Sequence, residues 1–214
     1  MRTSPAPWGV ASLPLPGERE SGDVSVVQPF DKGVLVAVVD ALGHGHDAAQ
    51  AAQVAAATLE RYAHEGPVYL LRRCDELMRP TRGAAISVAW FDTEQRAMTW
   101  LGVGNVTGAL VRADPTARPQ VRQLIVHSGV VGYHLPELHP SALPVVPGDV
   151  LVLATDGVRS DFADSLPAAM GPQPLAERIL KDYATRNDDA LVLVFPCSSA
   201  TERAGRIAEK RRRG

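Results

Sequence analysis

Cysteine is scarce in this chain: Cys74 and Cys197 are the only two among 214 residues. One falls in an expected helix and the other just past an expected strand. They make neither a metal-type spacing nor a disulfide framework, which points to a reducing cytosol. No run approaches the roughly 18 apolar residues of a membrane span. The start carries Pro5, Pro7, Pro14 and Pro16 but no long apolar segment after a basic stretch, so no secretory signal is expected. Internal repeats and a glycine-rich phosphate loop of the GxxxxGK type are also absent. Neither sign of charge prevails, with 22 Lys and Arg against 24 Asp and Glu and a net charge of -2, which argues against a general nucleic-acid binder. The exception is a basic tail over 197–214 with Arg203, Arg206, Lys210, Arg211, Arg212 and Arg213, read as solvated and frayed. These absences predict a soluble cytoplasmic protein without a nucleic-acid or membrane partner; a monomer or weak dimer is expected, though nothing in the sequence fixes it.

What is present is an ordinary globular composition, 45% apolar and 21% charged, and enough length for one domain with a sizeable core. Residues 33–39 form an unbroken, largely β-branched apolar run after the turn-like Asp31-Lys32-Gly33, and read as a buried strand. Asp40 stands where that strand runs out, followed at once by the glycine-punctuated Ala41-Leu42-Gly43-His44-Gly45. Three other acids stand in similar places. Asp23 opens an alternating segment, Asp156 closes the run 150–155, and Asp188 with Asp189 opens the run 190–195. Taken singly, each is a common turn or cap residue. Taken jointly, they describe a carboxylate metal site. Hard divalent cations take oxygen ligands, and unit charges about 4 Å apart repel by roughly 4 kcal/mol at an effective dielectric near 20. Acids that converge in space therefore call for a cation between them.

Along the chain, a short strand is expected near 8–13 and a hairpin over 23–39. Alanine-rich 47–63 and then 68–78 read as helices. The segments 84–91, 97–103, 107–112 and 120–126 read as four strands joined by tight links, an antiparallel meander. Residues 128–148 read as loop. A helix over 175–186 precedes the closing strand. Runs of strands and runs of helices predict an α+β architecture, with two mainly antiparallel sheets flanked by helices in a four-layer α-β-β-α sandwich.

Asp40-Ala41-Leu42-Gly43-His44-Gly45 before a small-residue helix resembles the Asp-Gly-x-Gly-His-Gly element of the metal-dependent serine/threonine phosphatases of the 2C type, in their bacterial SpoIIE-like branch. Thr155-Asp156-Gly157-Val158, Asn187-Asp188-Asp189-Ala190-Leu191-Val192, Ser21-Gly22-Asp23 and Gly102-Val103-Gly104-Asn105 resemble further motifs of that family, in the family's order. The resemblance spans about 21–195, and the short catalytic domain is most similar to the RsbX-like feedback phosphatases of the stressosome. Three positions depart from the pattern. Ala41 replaces a glycine, Leu191 replaces a Thr or Ser, and Arg19 is only a loose counterpart of a phosphate-binding arginine.

The resemblance implies a single catalytic domain over 1–196 holding two Mn²⁺ or Mg²⁺ ions, with Asp23, Asp40, Asp156, Asp188 and the Ala41 carbonyl as ligands and Asp40 between both metals. It implies attack by metal-activated water on a phosphoserine or phosphothreonine of a regulatory protein, an anti-sigma antagonist or stressosome component. His44 is a candidate general acid, or a residue that merely orders the turn. Gly43, Gly45 and Gly157 are read as serving backbone geometry, and Asp189 as a supporting residue. Two other readings stay open: a non-catalytic phosphoprotein-binding module of the same fold, and a phosphohydrolase of small molecules.

Overall fold

The computed structural model describes residues 8–92, 94–95, 97–166 and 170–197. The basic tail expected beyond Cys197 lies outside the described residues. In chain order the elements are β1 (Gly9–Leu13), β2 (Asp23–Phe30), β3 (Gly33–Ala41), α1 (Gly45–Arg61), α2 (Pro67–Met78), β4 (Ala84–Asp92), β5 (Ala97–Val103), β6 (Thr107–Val111), β7 (Val121–Leu124), β8 (Ser141–Pro144), β9 (Val150–Ala154), α3 (Pro172–Tyr183) and β10 (Ala190–Pro196). Short 3-10 turns lie at Ala63–Glu65 and Ser160–Ser165.

Two antiparallel five-stranded sheets result, ordered β1-β10-β9-β6-β7 and β2-β3-β4-β5-β8. Alternation along β3 shows how they stack. Val34, Val36 and Val38 pack with Phe91, Trp100, Leu151, Leu153, Leu191 and Leu193 in a core between the sheets. Leu35, Ala37, Val39 and Ala41 pack outward against Ala48, Ala51, Ala52 and Ala55 of α1 and Leu70 and Leu71 of α2. On the far side, Val152, Ala154, Val192 and Val194 meet Ala176 and Ile179 of α3. Strands covered on both faces read as unbroken apolar runs rather than alternating ones. The expected four-layer α-β-β-α sandwich is the observed one. The small buried side chains of α1 bring its axis close to the sheet and carry the best helix propensity.

The meander does not form. β4 and β5 pair, and β6 and β7 pair, but the chain changes sheets between β5 and β6, where β6 takes β9 as its other neighbour. The change occurs at Gly104, whose φ of +103° lets the backbone turn out of its sheet while passing too close to Ala85 for any β-carbon. Both sheets bury their inner faces, so hydrophobic alternation alone does not separate a paired hairpin from a change of sheet. The stretch expected as loop contains β8, an edge strand ending at Pro144, a place where proline is tolerated. The last helix starts at Pro172, a favoured first helical residue, three residues before the expected start.

Asp149 ties the turn before β9. Its fully buried carboxylate accepts the Ala113 and Val146 amides at 2.8 and 3.1 Å and faces Arg112 at 3.1 Å. Replacing Asp149 with Ala orphans two amides and a cation, so a loss of about 3 kcal/mol is expected, read as a lower urea midpoint at unchanged slope.

Candidate metal centre

Strand parity decides where the acids point. Asp40 continues the 34, 36, 38 series on the inter-sheet face of β3, and Asp23 on β2 lies directly opposite in register. Thr155 and Asp189 likewise continue the inward series 151, 153 and 191, 193 of β9 and β10. Asp156 and Asp188 follow and precede those two strands in the adjoining turns. The expected acids thus gather at one end of the seam between the sheets. Asp40, Asp156 and Asp188 line a cavity of about 390 Å³, whose walls come from Leu42 and Gly43 after β3, Gly104 and Asn105 after β5, and Ser128–Val130 after β7.

The arrangement is electrostatically unfavourable as it stands. Burial raises the Asp40 carboxyl to about 8, and Asp23, Asp156 and Asp188 push in the same direction, while a backbone bond from Asp156 offsets only part of it. Asp23 is raised to about 7, first by burial and then by Asp189, Asp156 and Asp188, against a lowering bond from Thr155. Asp156 is raised by burial and by Asp188. Among the described residues, Asp40 Oδ2 is the one buried side-chain oxygen or nitrogen without a hydrogen-bond partner. A buried acceptor left unmatched costs about 1–3 kcal/mol, and more when charged. No group of three or more His, Cys, Asp and Glu among the described residues is arranged to hold an ion by itself. The acids fit a cation that keeps several waters and takes few carboxylates, as Mg²⁺ does.

Supporting contacts hold the acids in place. The Thr155 hydroxyl donates to Asp23 Oδ2 at 2.7 Å and accepts the Leu191 amide at 2.9 Å, so one side chain links both sheets. Asn105 donates to Asp156 Oδ2 at 2.6 Å. Buried Asp189 accepts the amides of Leu15 and Gly22, each at 2.7 Å, and so fastens the residue just before Asp23 to the start of β10. Gly157 passes against the Asp189 carbonyl with no room for a β-carbon, while Gly43 and Gly45 have φ of +82° and +72°. Ala41 is absent from the positive-φ residues, so the alanine in place of glycine is unstrained there. Its carbonyl lies 3.3 Å from where a β-carbon on Gly22 would stand.

His44 is the N-cap residue of α1 and is not part of the cavity wall. Its ring is 54% exposed and Nδ1 meets Glu18 Oε1 at 2.7 Å, a contact that orders the turn. Sequence reasoning gave no role to Thr155 or to the Ser128–Val130 wall. The threonine beside Asp156 was a usable signal, since a polar residue at an inward-facing strand position needs a partner.

The fold is shared with phosphatase domains of the PP2C class. The SiaA-PP2C domain of Pseudomonas aeruginosa superposes with a TM-score of 0.73 at 22% identity, over 87% of this chain and 84% of that one, a likeness of fold alone. RsbX solved in complex with magnesium superposes with a TM-score of 0.75 at 26% identity, over 86% and 92%. The phosphoserine phosphatase RsbX of Bacillus subtilis (strain 168) is 34% identical over 97 residues, 45% of this chain and 49% of the relative, so the match spans about half of that protein's length. The sequence profile described as Stage II sporulation protein E (SpoIIE) matches residues 31–197, and the chain belongs to that family.

Raised carboxyl values make the metal-free protein pH-sensitive. The folded values of Asp23 and Asp40 exceed the ordinary 3.8, so the folded state holds more protons, and the stability present below about pH 4 is lost as pH rises through 7 and 8. Metal-free Tm should fall between pH 5 and 8.5, and Asp40→Asn should shrink that fall. Added Mg²⁺ or Mn²⁺ should raise wild-type Tm more at pH 8 than at pH 5. An equal rise at both pH values contradicts this electrostatic account.

Proposed function

We propose that this protein is a metal-dependent serine/threonine protein phosphatase acting on a phosphorylated regulatory protein in a partner-switching or stressosome pathway. The observation that carries the reading is the partnerless Asp40 Oδ2 at the centre of mutually repelling acids that close the seam between two sheets. Asp23, Asp40, Asp156, Asp188 and the Ala41 carbonyl are the groups that would hold Mg²⁺ or Mn²⁺. Bound there, such cations supply hydroxide from water near neutral pH and neutralise charge on the phosphoryl group.

The chain's own residues supply position. Thr155 and Asn105 orient Asp23 and Asp156 by donating to one oxygen of each. Asp189 holds the Gly22 backbone, and with it the approach of β2 to the seam. His44 serves the turn through Glu18. Cys74 and Cys197 are buried thiols pushed up to about 12, far from the thiolate a covalent mechanism needs.

The substrate class is supported by the phosphoserine phosphatase RsbX and by a chain from work on the bacterial stressosome, superposing with a TM-score of 0.78 at 27% identity. No helix among the described residues is long and apolar enough to cross a membrane. A cytoplasmic location and one catalytic domain over 1–196 are part of the proposal.

Hydrolysis of p-nitrophenyl phosphate should require Mg²⁺ or Mn²⁺ and stop on chelation. Asp40→Asn and Asp156→Asn should lower kcat/KM by well over a hundredfold. Thr155→Val should cost about 10–100-fold, recoverable in part at high metal concentration, as expected for a group that orients a ligand. A phosphoserine peptide should be hydrolysed in preference to nucleotides. Full turnover in Asp40→Asn, or turnover in excess chelator, would remove the metal assignment.

A further inference from the structure

The acid-lined cavity has no cation in its wall among the described residues. A phosphate monoester brings up to two more negative charges to it. Divalent ions neutralise oxygens that face the acids, and an oxygen facing the opposite rim needs a donor of its own. A guanidinium suits that task, since it is always charged and offers several N–H groups in a fixed fork.

Arg82 stands beside Gly43 of that wall and itself lines a separate cavity with Asp47, Gln50 and Thr81. It sits between α2 and β4, where the Leu42 amide donates to the Gly83 carbonyl at 3.1 Å and the Gly83 amide to Thr81 Oγ1 at 3.1 Å. Its Nη2 donates to Asp47 Oδ2 in the first turn of α1 at 2.7 Å. Its Nη1 lies 2.6 Å from where a β-carbon on Gly43 would stand, and Gly43 is a wall residue of the cavity. The missing side chain at 43 therefore does two things: it permits the φ of +82°, and it lets the guanidinium reach the wall. Nε and Nη1 donate to no acceptor among the described residues, and the side chain is 46% exposed. Arg159, which lines the neighbouring cavity with Asn105 and Asp156, is engaged otherwise. Its Nε and Nη2 go to Asp161 at 3.2 and 3.4 Å, and its guanidinium lies over the Tyr183 ring.

We propose that Arg82 anchors the phosphoryl group of the substrate, its Nε and Nη1 taking phosphoryl oxygen on the β3–α1 side while Asp47 fixes the guanidinium. The proposal rests on the phosphatase reading, in that it takes the ligand to be a phosphate monoester. Binding of inorganic phosphate to the Mn²⁺-loaded full chain, followed by calorimetry, is the direct test. Arg82→Ala should weaken it about tenfold or more, and should raise KM for p-nitrophenyl phosphate and for a phosphoserine peptide by similar factors, with kcat less affected. Arg82→Lys should recover part of the affinity, and Asp47→Asn, which keeps an acceptor for Nη2, should weaken it less than Arg82→Ala does.

Unchanged phosphate affinity in Arg82→Ala overturns the proposal, as does a wild type that binds no phosphate. So does a KM effect confined to peptides with acidic flanks, which would assign Arg82 to the polypeptide rather than to phosphate. Equal losses of Tm and affinity in Asp47→Asn and Arg82→Ala would reduce the pair to a structural tie, and also overturn it. A wild type that turns over neither substrate sinks the phosphatase reading, while the phosphate titration still judges Arg82.

Discussion

Carboxylates crowded at the open end of a two-sheet seam are the constraint on which the rest of this structure depends. Asp23 and Asp40 face each other across β2 and β3, with Asp156 and Asp188 closing in from the second sheet. Burial withholds screening water from Asp23 and Asp40, and the neighbouring acids raise the cost of ionising these two further. Such a cluster persists only where the remaining fold outweighs it. Here the surrounding framework is apolar and closely packed: seven of the nine residues of β3 are apolar, buried and consecutive, from Gly33 through Val39 counting the glycine. The strain is local, and a cation converts it from a cost into binding energy.

Polar residues just outside the cluster turn crowding into order. Thr155 joins the two sheets through its hydroxyl, and Asp189 joins the chain before β2 to β10 through two amides. Neither contact is local in sequence, so the site cannot be complete until both sheets are stacked. Closure of the sandwich and assembly of the site are one event. The turns at Gly43 and Gly157 then admit neighbouring groups where a side chain would block them.

Much of this was legible in the sequence because strand ends and apolar runs are local properties. The four acids stood out as charges abutting buried strands, and β5 was read with its observed bounds of Ala97–Val103. The convergence of the acids is an inference from charge and resemblance, and alternation along β3, β9 and β10 accounts physically for their gathering at one end of the seam. What stayed hidden depends on pairing between distant segments. The change of sheet at Gly104 leaves no mark on hydrophobic periodicity, because either partner sheet buries the same face. The edge strand Ser141–Pro144 is too short and proline-flanked to stand out. The contacts of Asn105 and Thr155 arise only when acids 51 and 132 residues away arrive beside them.

The central claim is that these acids are held together in order to share divalent cations. Crystals grown with Mn²⁺ and measured for anomalous scattering test it most directly. The account predicts peaks within bonding distance of the Asp40 carboxylate, with Asp156 and Asp188 beside them and Asp23 on the other side. An anomalous map empty at this cavity at saturating Mn²⁺, or peaks confined to other acids on the surface, would contradict it.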